Sequence, residues 1–119
     1  MGHAYVKVKL GDPLRRRFKE DKMLADTGTT YPYIPREPAE ELGLRLEFKT
    51  KVTLTDGREV EAWYATAYVE ILGRGDLIPV RVFEVEEPLL GAFALETLGL
   101  AVDPTTGEVK PTRGFIARA

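Results

Sequence analysis

The chain contains no cysteine and no serine, and its only histidine is His3, beside the N-terminus. The missing cysteine excludes disulfides, zinc–thiolate sites and thiol nucleophiles together. The missing serine excludes a Ser-His-Asp arrangement, and one terminal histidine is too little for a histidine-built metal site. Charge of a single sign is lacking too: 17 Lys and Arg stand against 19 Asp and Glu, for a formal net charge of -2. Such a balance exerts no long-range pull on polyanions, so nucleic acid is not an expected partner. No run of about 18 apolar residues is present and the N-terminus has no apolar signal segment, so no membrane association is expected and a cytoplasmic protein is the simplest expectation. Chemistry, if the chain performs any, must come from carboxylates, Thr, Tyr, Lys or Arg.

What is present suffices for one domain over residues 1–119. Of 119 residues, 44% are hydrophobic and 30% charged, a composition that buries a core without covalent staples. Tyr5 to Leu10 alternates apolar and polar residues, the period of a half-buried strand, and Gly11-Asp12-Pro13 ends it. Arg15-Arg16-Arg17 and Lys19, followed by Glu20 and Asp21, read as a solvated loop. Met23 to Ala25 is a short apolar strand leading into Asp26-Thr27-Gly28-Thr29-Thr30. Arg36 to Leu42 is a short helix with Pro38 in its first turn and Gly43 as its stop.

Phe48 to Thr55 and Glu59 to Ile71 are expected strands around Asp56-Gly57, a two-residue hairpin signal. Val60, Ala62, Tyr64, Thr66 and Tyr68 share one face of the second strand, and Trp63 and Val69 the other. Gly73-Arg74-Gly75 is the next expected turn, Leu77 to Val85 the next strand, and Ala92 to Leu98 a second helix stopped at Gly99. Val102 to Pro104 and Glu108 to Pro111 flank a turn, and Gly114 to Ala119, with Phe115 and Ile116, closes the chain as a last strand. Six to eight strands and two short helices make the domain mainly β. Leu42-Gly43-Leu44 and Leu98-Gly99-Leu100 repeat one pattern at the end of each half.

The segment with chemical content is Met23-Leu24-Ala25-Asp26-Thr27-Gly28-Thr29-Thr30. An apolar strand delivers a carboxylate into a turn, and the glycine lets backbone approach that carboxylate closely. The Gly28 N–H and the hydroxyls of Thr27 and Thr29 are placed to orient it. The same residues also suit an ordinary Asx-turn.

Leu24-Ala25-Asp26-Thr27-Gly28-Thr29 and the later Leu89-Leu90-Gly91, with a hairpin between them, resemble the two signatures of the single-domain, retropepsin-like aspartic proteases. The resemblance runs from about residue 5 to residue 111. It implies an all-β acid-protease fold, a closed barrel with one or two short helices. It also implies a homodimer in which one Asp26 from each subunit forms the catalytic pair, because the chain has a single Asp-Thr-Gly. Two carboxylates at close range share one proton, since like charges about 3 Å apart do not both ionise. The implied catalytic residues are Asp26, Thr27 and Gly28, with Thr27 bonding across the dimer axis. Thr29, Thr30, Tyr31, Asp56, Gly57 and Leu90 are the implied substrate-binding residues. The substrate is a peptide or protein, and no metal or other cofactor is required. Where retroviral members carry an Asp and an Arg, this chain has Thr30 and Ala92, both partners being replaced together. The hairpin differs as well: Gly57 is flanked by Asp56, Arg58 and Glu59 rather than by further glycines.

Other candidates read as structural. Trp63, Tyr64 and Tyr68 suit strand packing, Ile34 and Leu90 suit a core, and Glu84, Glu86 and Glu87 suit a solvated strand end. Tyr31 and Tyr33, just after the motif, suit either packing or a cleft. Three functions remain open to the residues by themselves: an aspartic endopeptidase, a non-catalytic peptide-binding or dimerisation module of the same fold, and a small β protein in which Asp-Thr-Gly is only a turn.

Overall fold

Period-2 patterning organises most of the chain into strands around one long central element. In the computed structural model residues 4–114 are described, so His3 and the expected last strand through Phe115 and Ile116 lie outside them. β1 (Tyr5–Gly11) pairs antiparallel with β2 (Phe18–Leu24) from Tyr5↔Leu24 to Gly11↔Phe18. β3 (Tyr33–Ile34) and α1 (Arg36–Glu41) follow, then β4 (Phe48–Thr53), β5 (Glu59–Ile71) and β6 (Arg74–Val82). α2 (Ala92–Thr97), β7 (Leu100–Val102) and β8 (Val109–Pro111) complete the described chain.

β5 is the hub because its length serves three partners. Its first half pairs with β4 (Thr53↔Glu59 to Phe48↔Tyr64), its second half with β1 (Lys9↔Glu70 to Gly11↔Tyr68), and its other edge with β6 (Ile71↔Arg74 to Trp63↔Val82). Short β3 joins the far edge of β6 in parallel, Tyr33 opposite Arg81. The described fold is thus mainly β with two short helices, and its radius of gyration of 13.7 Å is that of a compactly folded chain.

Among the described residues the expected closed barrel is not found. The path β2-β1-β5-β6-β3 has two edges, β2 and β3, which meet only through single bridges to Leu89. Pro88–Leu90 is too short to extend into a strand, because Gly91 turns the chain into α2.

Alternation along β5 sorts its side chains as their sequence positions suggest. Ala65, Ala67, Val69 and Ile71 enter the main core with Val8, Leu10, Met23, Ile34, Ile78, Val80, Val82 and Leu90, and Trp63 packs against it. The helices contribute Ala39, Leu42, Ala94, Leu95 and Leu98. Ala62 faces the other way, into a small cluster with Val52 and Phe83. Both helices stop at a glycine in the left-handed region, Gly43 and Gly99, each at φ +69°. The Leu-Gly-Leu echo is therefore a repeated helix stop.

Several boundaries differ from expectation. β2 begins at Phe18, so Lys19, Glu20 and Asp21 belong to an edge strand rather than a loop. Charges at such an edge discourage pairing with other chains, and Lys19 is tied to Glu41 at 2.9 Å. The arginine run does lie in a loop. Its turn is closed by Asp12, whose Oδ1 accepts the N–H groups of Arg16 and Arg17, both at 2.7 Å. The β4–β5 connection is longer than the expected two-residue turn: Leu54 N–H donates to the Arg58 carbonyl at 2.8 Å, and inside that pair Thr55-Asp56-Gly57 form the tip, where Gly57 N–H donates to the Leu54 carbonyl and takes φ +87°. A three-residue tip closed by a left-handed glycine is a common hairpin form. The β5–β6 turn is Leu72-Gly73, both at positive φ, which starts β6 at Arg74 rather than Leu77.

Candidate active site

The turn holding Asp26 follows directly from the end of β2. Ala25 N–H donates to the Ala4 carbonyl at 2.8 Å, which fixes the strand end. The chain then turns, and Gly28 N–H donates to Asp26 Oδ1 at 2.8 Å. The Thr29 hydroxyl donates to the Asp26 carbonyl at 3.3 Å. A Cβ on Gly28 would lie 3.0 Å from Asp26 Oδ1, so the missing side chain leaves the carboxylate its place. Asp26 and Thr29 are half-buried, while Thr27, Gly28 and Thr30 are exposed.

Leu89-Leu90-Gly91, some sixty positions further on, passes beside this turn. Leu24 N–H donates to the Pro88 carbonyl at 3.0 Å, and Leu90 N–H donates back to Leu24 at 2.8 Å. On its other side the same segment exchanges two bonds with Tyr33, at 2.9 and 3.0 Å. Past the glycine, Ala92 N–H reaches the Thr29 carbonyl and Phe93 N–H the Thr30 carbonyl, both at 2.8 Å. The later segment thus threads between the strand that enters the Asp26 turn and the one that leaves it. Gly91 makes this passage possible. Its φ of +82° and ψ of 158° form a region open almost only to glycine, and a Cβ there would lie 2.8 Å from Thr30 and Tyr31 backbone atoms.

The other expected site residues are dispersed. Tyr31 is half-buried at the rim of the turn, its ring 5.6 Å from that of Phe93. Leu90 is fully buried and belongs to the core, so it offers no exposed surface to a ligand. Asp56 and Gly57 are exposed at the hairpin tip, where Asp56 accepts bonds from the Arg58 N–H at 3.0 Å and from Arg58 Nε at 2.7 Å. Those bonds, the backbone one first, hold the Asp56 carboxyl below its ordinary range. Ile34 is buried, and Glu87 accepts the Tyr5 hydroxyl at 2.5 Å.

Arg81 carries no motif and enters only through the fold. Its guanidinium lies over the rings of Tyr31 and Tyr64, 4.3 and 4.7 Å from their centroids. Phe48 stacks on Tyr64 at 4.7 Å, so Phe48, Tyr64, Arg81, Tyr31 and Phe93 form one continuous row from β4 to α2. The hairpin register, Tyr64 opposite Arg81, is the signal from which part of this row is readable. Burial raises the Tyr33 hydroxyl above its ordinary range; nearby Arg81 opposes that rise and Asp26 adds to it.

A separate groove of about 380 Å³ is lined by Arg36, Lys49, Glu61, Trp63, Phe83 and Glu84 among others, and no residue of the Asp26 turn borders it. Among the described residues no group of three or more His, Cys, Asp or Glu side chains is placed to hold a metal ion, and no helix is long and apolar enough to cross a membrane. No protein-family model matches the chain, and a search of curated proteins finds no match.

Proposed function

We propose that this chain is one subunit of a homodimeric, retropepsin-like aspartic endopeptidase in which Asp26 of each subunit supplies one of two catalytic carboxylates. The observation that carries this reading is the threading of Leu89-Leu90-Gly91 against the Asp26 turn. Two segments distant in sequence, each with its glycine, meet where a carboxylate is presented at the surface with one backbone N–H orienting it. An isolated Asx-turn needs no such second segment.

One carboxylate is an incomplete site. A two-fold dimer places Asp26 opposite Asp26 of the partner subunit and encloses the exposed Thr27 and Gly28. One carboxylate, ionised, takes a proton from a water between the pair as the water oxygen attacks the scissile carbonyl carbon. The other, protonated, gives its proton to the carbonyl oxygen. The tetrahedral intermediate then breaks its C–N bond as a proton passes to the leaving nitrogen. The pair titrates as a unit, and neither subunit owns the acid or the base. No metal or organic cofactor enters this scheme.

The test is hydrolysis of an unstructured protein substrate by the dimer. Cleavage that is blocked by a statine-type transition-state mimic and lost in a folded, dimeric Asp26→Asn variant is the expected result. Undiminished cleavage by that variant would refute the mechanism. The hairpin tip favours a second reading, a peptide-binding module without turnover, since Arg58 ties down Asp56 where a mobile cover would need freedom. Peptide binding with no hydrolysis from acid to neutral pH would establish that reading instead.

A further inference from the structure

We propose that the Arg81 guanidinium is a carboxylate-binding subsite beside Asp26, selecting peptides that carry an acidic side chain near the scissile bond; the inference rests on the peptidase reading for its position along the substrate. The Arg81 guanidinium packs against two rings, its central carbon 4.3 Å from the Tyr31 centroid and 4.7 Å from that of Tyr64. Aromatic rings attract the cation through their faces and leave the N–H donors, which lie in the guanidinium plane, to other acceptors. Among the described residues those donors are nearly unused: the one side-chain hydrogen bond of Arg81 runs from Nη1 to the Val80 carbonyl at 3.5 Å, the outer limit for such a bond. Among the described residues no carboxylate pairs with it, whereas Arg16, Arg36 and Arg58 each have one.

Arg81 is half-buried, positioned by two tyrosine rings and paired with no carboxylate among the described residues. A planar carboxylate meeting its N–H donors would form paired, charge-assisted hydrogen bonds. The position fits a substrate subsite. Arg81 N–H donates to the Pro32 carbonyl at 2.9 Å, so its strand is bonded to the segment that leaves the Asp26 turn. Tyr31 lies in that segment, and Phe93, at the end of the row, is bonded to Thr30. Tyr33 feels the charges of both Asp26 and Arg81. An extended peptide crossing Asp26 therefore passes within a few residues of the guanidinium.

The test uses fluorogenic peptides in pairs, identical except for Glu or Gln at one position, scanned along the substrate. At one position the wild-type dimer is expected to prefer Glu by roughly tenfold in kcat/KM, the scale of one charge-assisted bond. Arg81→Gln should bring that ratio to about one while the Gln peptide is still cleaved, and Arg81→Lys should retain part of it. A purely structural role lowers both peptides together, so an unchanged ratio in Arg81→Gln overturns the proposal. The wild-type ratio needs no variant, and a value near one at every position overturns it as well. Binding of the same pairs to Asp26→Asn protein, followed by fluorescence anisotropy, separates the two claims. Arg81-dependent preference for Glu without turnover by the wild type upholds the subsite and rejects the peptidase. Turnover without preference rejects the subsite alone, and no binding of any peptide rejects both.

Discussion

Gly91 lies so close to Tyr31 that a methyl group at position 91 would sit 2.8 Å from the Tyr31 carbonyl carbon and oxygen. This contact joins two segments with little else in common in the sequence, and it holds the loop after Asp26 against α2. Backbone rather than a flexible side chain is the obstacle, so the clash is not relieved by a rotamer change. Gly91→Ala is expected to destabilise the protein by about 3 kcal/mol or more, combining conformational strain with the close contact. Urea denaturation measures it, and a loss below about 0.5 kcal/mol, the range of neutral surface changes, would mean that the passage is looser than described.

Gly28→Ala separates stability from chemistry. The glycine is exposed, and an added Cβ meets only the Asp26 carboxylate, at 3.0 Å from Oδ1. Unfolding free energy should change by less than about 1 kcal/mol. On the proposed two-carboxylate mechanism, peptide hydrolysis should fall on the order of a hundredfold, because a displaced carboxylate would no longer meet its partner in register. Equal losses in both measurements would show that the turn, and not the carboxylate's position, had been damaged.

Leu72 offers the opposite test, a gain. It is 60% exposed and held at φ +53° in the two-residue turn before Gly73. A left-handed conformation costs an ordinary residue roughly 1–2 kcal/mol, and Asn-Gly is the sequence such turns favour. Leu72→Asn is expected to stabilise the fold by about 1 kcal/mol, read as a higher urea midpoint with an unchanged slope.

Asp12 sets a pH dependence. The Arg17 N–H above all, with that of Arg16, holds its carboxyl below the ordinary value of 3.8. Because the folded value lies below the unfolded one, the stabilisation is complete above that pH and is lost as pH falls through the folded value. Asp12→Asn keeps an acceptor oxygen but removes the ionisation, so its melting temperature should decline less steeply than wild type below about pH 4. Parallel declines would assign the acid sensitivity to other carboxylates.

Local pattern carried the strands and helices far, and long-range pairing carried the rest. β5 has the bounds its alternation suggests, and both helices start where proline or glycine places them and stop within a residue of their Leu-Gly-Leu stops. β2 was obscured because Lys19-Glu20-Asp21-Lys22 pairs only along one edge and has no apolar alternation to display. Two-residue β3 owes its existence to β6 and Leu89, contacts no local window contains. Closure into a barrel was expected from resemblance and not from any residue, and the described strands leave β2 and β3 as edges. At the site, Asp26, Gly28 and Gly91 were legible as motif residues. Leu90 belongs to the core despite standing in a signature, and Arg81 has no motif at all, since its meaning comes from Tyr31 and Tyr64 on other elements.

The central claim is that two Asp26 side chains act as one site. A crystal structure of the assembled protein measures this directly, as the distance between the two Asp26 carboxylates. Oxygens about 3 Å apart, with the groups nearly coplanar across a two-fold axis, are the result expected of a proton-sharing pair. An assembly that keeps the two carboxylates far apart, or a chain that crystallises and sediments as a monomer, would contradict it.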